Sequence, residues 1–183
     1  MTEQQFSQFA ATVDDVDEGT GLITGVAVRY NTPVERGRNL FEMVEPGTFS
    51  RQVADPARVS VLWQHDSDSP IGRATKLIDT EELMRFSAQI TQHADVPEAR
   101  KALALLREGI IDEISVGFQW QKWTEVREDD KLTILHTRAR LRELSVVTFG
   151  ALGRDARVLT VANDGNTGLQ LDLVRAKFDA LNS

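Results

Sequence analysis

Ile110-Ile-Asp-Glu-Ile-Ser115-Val-Gly-Phe-Gln-Trp120-Gln-Lys-Trp-Thr-Glu-Val126, followed beyond the polar Glu128-Asp-Asp130 by Leu132-Thr-Ile-Leu-His-Thr-Arg-Ala-Arg-Leu141-Arg-Glu-Leu-Ser-Val-Val-Thr-Phe149, decides the fold. Both halves are rich in β-branched and aromatic residues, and a short acidic loop separates them. The pattern predicts a long β-hairpin. In the first strand Ile114, Val116, Phe118 and Trp120 alternate as an apolar face and leave Ser115, Gly117 and Gln119 on the other. In the second, strict alternation groups Glu143 with Ala139, Leu141 and Val147, opposite Arg138, Arg140 and Arg142.

Upstream, Gly21 to Tyr30 reads as a strand ended by Asn31-Thr-Pro33, with Phe9 to Val13 positioned to pair with it. Phe41 to Val44 is a further short strand. Glu45-Pro46-Gly47 turns the chain, Thr48 is placed to cap a brief helix through Val53, and Asp55-Pro56 closes that helix. Val59, Val61, Trp63 and His65 alternate with Ser60, Leu62 and Gln64, so His65 is expected on the apolar side of a strand. Pro70-Ile-Gly72 is read as the turn into Arg73 to Ile78, and Leu83 to Ile90 as the returning strand. Val96 to Glu108 is a helix: Pro97 suits its first turn, Ala99, Ala102, Leu103 and Leu106 form an apolar stripe, and Gly109 stops it. The fold class is therefore α+β, dominated by antiparallel strands.

A chain of 183 residues suits one domain with a real core, here assigned to 1–162. Asn163 to Gly168 has linker composition, and Leu171, Val174, Phe178 and Leu181 give 163–183 the spacing of a C-terminal amphipathic helix, open to docking or to a homo-oligomer contact. The formal charge of −7 argues against nucleic acid as a general partner, because phosphate affinity rests on Lys and Arg. No cysteine occurs, which removes disulfides, thiolate metal sites and cysteine nucleophiles. Residues 1 to 20 lack a signal-peptide pattern and no apolar run reaches the length of a membrane span, so the expectation is a soluble intracellular protein without a membrane partner.

A hydroxyl, an imidazole and a carboxylate together make an activated nucleophile, and strands distant in sequence can assemble them. Ser115 has a glycine two residues on, which leaves room for a peptide backbone to approach. His65 lies where an apolar strand meets the polar Asp66-Ser-Asp-Ser-Pro70. Glu143, placed among apolar neighbours, needs a partner, and an imidazole is one. Each also has an ordinary alternative: a solvated sheet face for Ser115, a structural histidine for His65, and an arginine salt bridge for Glu143. Asp66 is a rival to Glu143, while His93 and His136 sit in polar or charged surroundings that suit catalysis less. A Gly-x-Ser-x-Gly elbow, a His-Glu-x-x-His pair and a phosphate-binding glycine loop are all absent. The histidines are scattered without ligand spacing, so neither a metal nor a cofactor is expected.

In order along the chain, Val44-Glu-Pro-Gly-Thr-Phe49, Val61-Leu-Trp-Gln-His65-Asp66 with Pro70-Ile-Gly72, Ile114-Ser-Val-Gly-Phe118 and Leu141-Arg-Glu-Leu-Ser-Val-Val147 resemble the prohead serine proteases of tailed bacteriophages, which are similar in fold to the herpesvirus assembly proteases. The resemblance runs from about Gly21 to about Val161. It implies a small, mostly antiparallel β-barrel flanked by helices, with Ser115 as nucleophile and His65 as general base. Glu143 stands where the herpesvirus enzymes carry a second histidine. Arg154 and Arg157, with backbone N–H groups, are the oxyanion candidates. The resemblance further implies a serine endopeptidase in the host cytoplasm, inside the procapsid. Its substrates and partners would be the scaffolding protein or the scaffolding segment of the major capsid protein, with the enzyme itself as a further substrate. The alternatives are a non-enzymatic capsid-assembly module with a protease-like barrel, and a tail-tube barrel subunit.

Overall fold

The computed structural model describes residues 6–16 and 20–150, with side chains from Thr20 onward. Among these residues the chain is mostly β-sheet with few helices. The strands are β1 (Phe6–Val16), β2 (Leu22–Arg29), β3 (Val34–Gly37), β4 (Leu40–Val44), β5 (Ser60–Trp63), β6 (Asp66–Asp79), β7 (Leu83–Ile90), β8 (Glu113–Glu128) and β9 (Lys131–Val147). Helix α1 (Ser50–Ala54) and a 3₁₀ turn (Pro56–Arg58) precede β5, and α2 (Pro97–Arg107) precedes β8. The helix expected over 163–183, together with Arg154 and Arg157, lies outside the described residues.

The strands join in one sheet ordered β3-β4-β9-β5-β6-β7-β2-β1-β8, with β8 also paired to β9. The pairings that start from β9 through β5 therefore meet β9 again at β8. All are antiparallel except those of β4 and β5 with β9. The long hairpin expected at Ile110–Phe149 is β8–β9, and Asp129 takes a left-handed φ of 53° in its turn. The outer half of β8, from Gln121 to Glu128, is exposed and forms an arm that β4 flanks on the β9 side.

The apolar residues that alternate along these strands bury together, with Ile23, Val28, Val61, Ile71, Phe86, Ile90, Ile114, Val116, Phe118, Leu144 and Val146 among the core. Helix α2 contributes Ala99, Ala102, Leu103 and Leu106, the stripe read from its sequence. It opens on Pro97 with Glu98 in its first turn and Arg107 in its last, an arrangement that complements the helix dipole. Gly109, at a φ of 64°, closes it by donating to the Leu106 carbonyl.

Two local expectations are corrected. Thr48 does not cap α1, whose first turn has no side-chain cap; its hydroxyl instead donates to the carbonyls of Glu45, at 2.7 Å, and His136, at 2.9 Å. That ties the turn before α1 to β9. Pro70-Ile-Gly72 is likewise no turn, because it lies inside β6, with Gly72 paired to Val61 and Ile90. A Cβ on Gly72 would stand 2.1 Å from the carbonyl oxygen of Gln89, so the glycine serves close strand approach. The reversal occurs earlier, at Gln64-His65, both of which take left-handed φ values of 53° and 60°. Trp63 and Asp66 pair across this two-residue turn.

Candidate active site

Strand β9 is the frame of the site because β8 and β5 flank it. Ser115 and Gly117 on β8 are register partners of Ser145 and Glu143, while Ser60 and Leu62 on β5 are partners of the same two residues from the other side. Direct partners in a sheet share a face, with Cβ atoms about 4.5–5.5 Å apart in antiparallel pairs. Ser115, Gly117, Glu143, Ser145 and Leu62 therefore form one face, behind which Ile114, Val116, Leu144 and Val146 fill the core. Both sides are covered: Ser115 is 2% exposed and Ser145 fully buried.

Glu143 reaches this face by a route that simple alternation misses. Gly117 pairs with Glu143 but Phe118 pairs with Leu141, so Arg142 is an extra residue in β9. This bulge puts Leu141 into the core with Phe118 and turns Glu143 to the side of Ser115. Glu143 thus does not share the face of Leu141, contrary to the sequence expectation.

His65 also arrives differently than expected. It does not extend the apolar stripe of Val61 and Trp63, since the strand ends at Trp63 and the turn carries the ring sideways over β9. Gln64 fastens that turn. Its backbone N–H donates to the Val146 carbonyl at 2.9 Å, its side-chain amide donates to the Thr148 hydroxyl at 2.9 Å, and its side-chain oxygen accepts from the Thr148 N–H at 3.3 Å. From there His65 Nδ1 lies 2.8 Å from Glu143 Oε1, with side chains 21% and 7% exposed respectively. The other carboxylate oxygen, Oε2, accepts from the Ser145 hydroxyl at 2.5 Å. With Glu143 ionised, Nδ1 carries the hydrogen and Nε2 is left as the free base.

The rivals are placed elsewhere. Asp66 is occupied by its own loop, accepting from the Ser69 hydroxyl at 2.7 Å and the Asp68 N–H at 3.0 Å; these two bonds hold its pKa below the usual carboxylate value. His93 is exposed in the turn before α2, beside Asp95. His136 is fully buried in an aromatic cluster with Phe118 and Trp120, 3.5 Å from Glu42 Oε1. Two residues of this neighbourhood had no role in the sequence reading: Gln64, which anchors the turn, and Ser145, which holds the second oxygen of Glu143. Ser145 was detectable as the residue two beyond Glu143 on the same strand face.

A mostly β fold that couples a buried carboxylate to an imidazole, beside a serine on the neighbouring strand, has the makings of a serine hydrolase. Residues 8–170 match the model of the caudovirus prohead serine protease family, and the chain belongs to that family. It is 27% identical over 143 residues to the capsid polyprotein of Pseudomonas phage PAJU2, a match that covers 76% of this chain and 20% of the relative. The chain thus spans about a fifth of the length of the curated relative it matches. In fold it is similar to the capsid assembly protease of bacteriophage T4, with a TM-score of 0.54 at 10% identity over 79% of this chain and 98% of that one.

Proposed function

We propose that the chain is a serine endopeptidase of capsid maturation in which Ser115 is the nucleophile, His65 the general base and Glu143 the group that orients His65. The observation that carries this reading is the 2.8 Å contact of His65 Nδ1 with Glu143 Oε1, made on the strand whose next residue on that face is the register partner of Ser115. Nε2 takes the proton of Ser115 as its Oγ attacks a peptide carbonyl, and Glu143 stabilises the imidazolium that forms. The imidazolium then protonates the leaving amine, and water resolves the acyl-enzyme by the same base. Backbone N–H groups with Arg154 or Arg157 are the donors we assign to the oxyanion, because charge developing there needs preorganised partners.

The substrates in this reading are the scaffolding protein or the scaffolding segment of the major capsid protein, within the procapsid in the host cytoplasm, and the enzyme itself. A relative named as a capsid polyprotein supports this, since its similarity to this chain covers only a fifth of its length. The pairing that returns from β8 to β9 supports a small barrel; the reading also assigns 1–162 to the protease domain and 163–183 to a linker and C-terminal amphipathic helix. A serine only 2% exposed requires local opening before a peptide reaches it, which suits an enzyme held dormant until assembly. The same burial favours the second reading, a non-enzymatic assembly module. Ser115→Ala decides between them: processing of co-expressed capsid precursor should stop while the fold persists, and continued processing rejects the nucleophile. Labelling of the parent protein at Ser115 by a fluorophosphonate, absent in the alanine variant, supports the enzyme.

A further inference from the structure

We infer that Ser145 is a positioning residue for the reaction: its hydroxyl holds one oxygen of Glu143 and so aims the other at His65. The inference rests on the Ser115–His65–Glu143 reading above and deepens it. Glu143 is 5% exposed, and its two oxygens divide their partners, Oε1 taking His65 at 2.8 Å and Oε2 taking Ser145 at 2.5 Å. A carboxylate held at one oxygen alone turns about its last torsion, which is broad for glutamate. Held at both, it presents Oε1 to the imidazole in one orientation.

Location strengthens the argument. Ser145 is fully buried and is the register partner of Ser115 on one side and Leu62 on the other, so it occupies the middle of the site. A buried hydroxyl requires a partner, and this one has a charged acceptor, the stronger kind of hydrogen bond. Because its proton is committed to the carboxylate that also holds His65, Ser145 is set up to orient rather than attack. The strand pattern makes the device possible: Glu143 and Ser145 are two residues apart with no bulge between them, so both project on the same face.

The experiment compares the parent protein with Ser145→Ala, Ser145→Thr and Ser115→Ala, following kcat and KM on a capsid-precursor substrate, fluorophosphonate labelling at Ser115, and thermal unfolding. Ser145→Ala should lower kcat and the labelling rate by about tenfold, the loss typical of a charge-assisted hydrogen bond, with KM unchanged. Ser145→Thr, which keeps the hydroxyl, should restore the rate. A Ser145→Ala protein with the parental kcat and labelling rate overturns the inference. So does a loss of activity that only follows the folded fraction measured by melting. Cleavage that persists in Ser115→Ala but vanishes in Ser145→Ala would instead make Ser145 the nucleophile and reject the parent reading, so the two failures differ in outcome.

Discussion

Replacing Glu143 by glutamine keeps the shape of the side chain and removes its charge. Two donors face it, His65 Nδ1–H at 2.8 Å and the Ser145 hydroxyl at 2.5 Å, and an amide offers one oxygen where the carboxylate offered two. If the amide NH₂ faces His65, Nδ1 must become the acceptor; the ring hydrogen then moves to Nε2 and the base is lost. If it faces Ser145, the tautomer survives but the imidazolium forms without its counter-charge. Charge centres about 4 Å apart at an effective dielectric near 20 interact by roughly 4 kcal/mol, which fits a pair at the edge of the protein interior. His65 keeps a side chain 21% exposed, so solvent trims that figure. Glu143→Gln should therefore reduce the rate by about 10²- to 10³-fold. The assay is the initial rate of capsid-precursor cleavage, with thermal unfolding as the check on folding. A folded Glu143→Gln protein that cleaves within tenfold of the parent, where His65→Ala is dead, would refute the role given to Glu143.

Other positions test the fold that holds the site. Gly72→Ala sets a Cβ against the Gln89 carbonyl, a backbone atom that cannot move aside without separating β6 from β7, and should cost about 3 kcal/mol or more by chemical denaturation; a variant as stable as the parent would contradict the close approach. Tyr30, the single tyrosine, has its pKa raised above the usual value by burial and by its hydrogen bond to Asp79. Its neutral form is thus favoured in the folded state, and the stability it contributes is complete below about pH 10, lost only as pH rises through the higher folded value. In an alkaline titration the tyrosinate absorbance should appear only together with loss of the native circular dichroism, and ionisation of Tyr30 within an intact fold would overturn this placement.

The large pieces of this architecture were legible because they follow from periodicity. The β8–β9 hairpin shows in its alternation and its acidic turn, and α2 in the spacing of Ala99, Ala102, Leu103 and Leu106. Ser115 was correctly assigned to the face opposite Ile114 and Val116, although that face is buried where a solvated one was the ordinary expectation. The two failures at the site share a cause: each is a place where backbone geometry departs from the regular period. Strict alternation carried Glu143 to the face of Leu141, and the extra Arg142 returns it to the face of Ser115. It also carried His65 along the stripe of Val61, whereas two consecutive left-handed residues end the strand and swing the ring across β9. Neither Gln64 nor His65 is glycine, and non-glycine residues in that region carry strain which the surroundings must hold. Here the Gln64 bonds to Val146 and Thr148 do so, which ties the position of the imidazole to the end of the same strand that carries Glu143 and Ser145. Two of the sheet's irregularities thus lie where the candidate chemistry is. A bulge and a strained turn on neighbouring strands bring the carboxylate and the imidazole into register, and a regular sheet would have kept them apart.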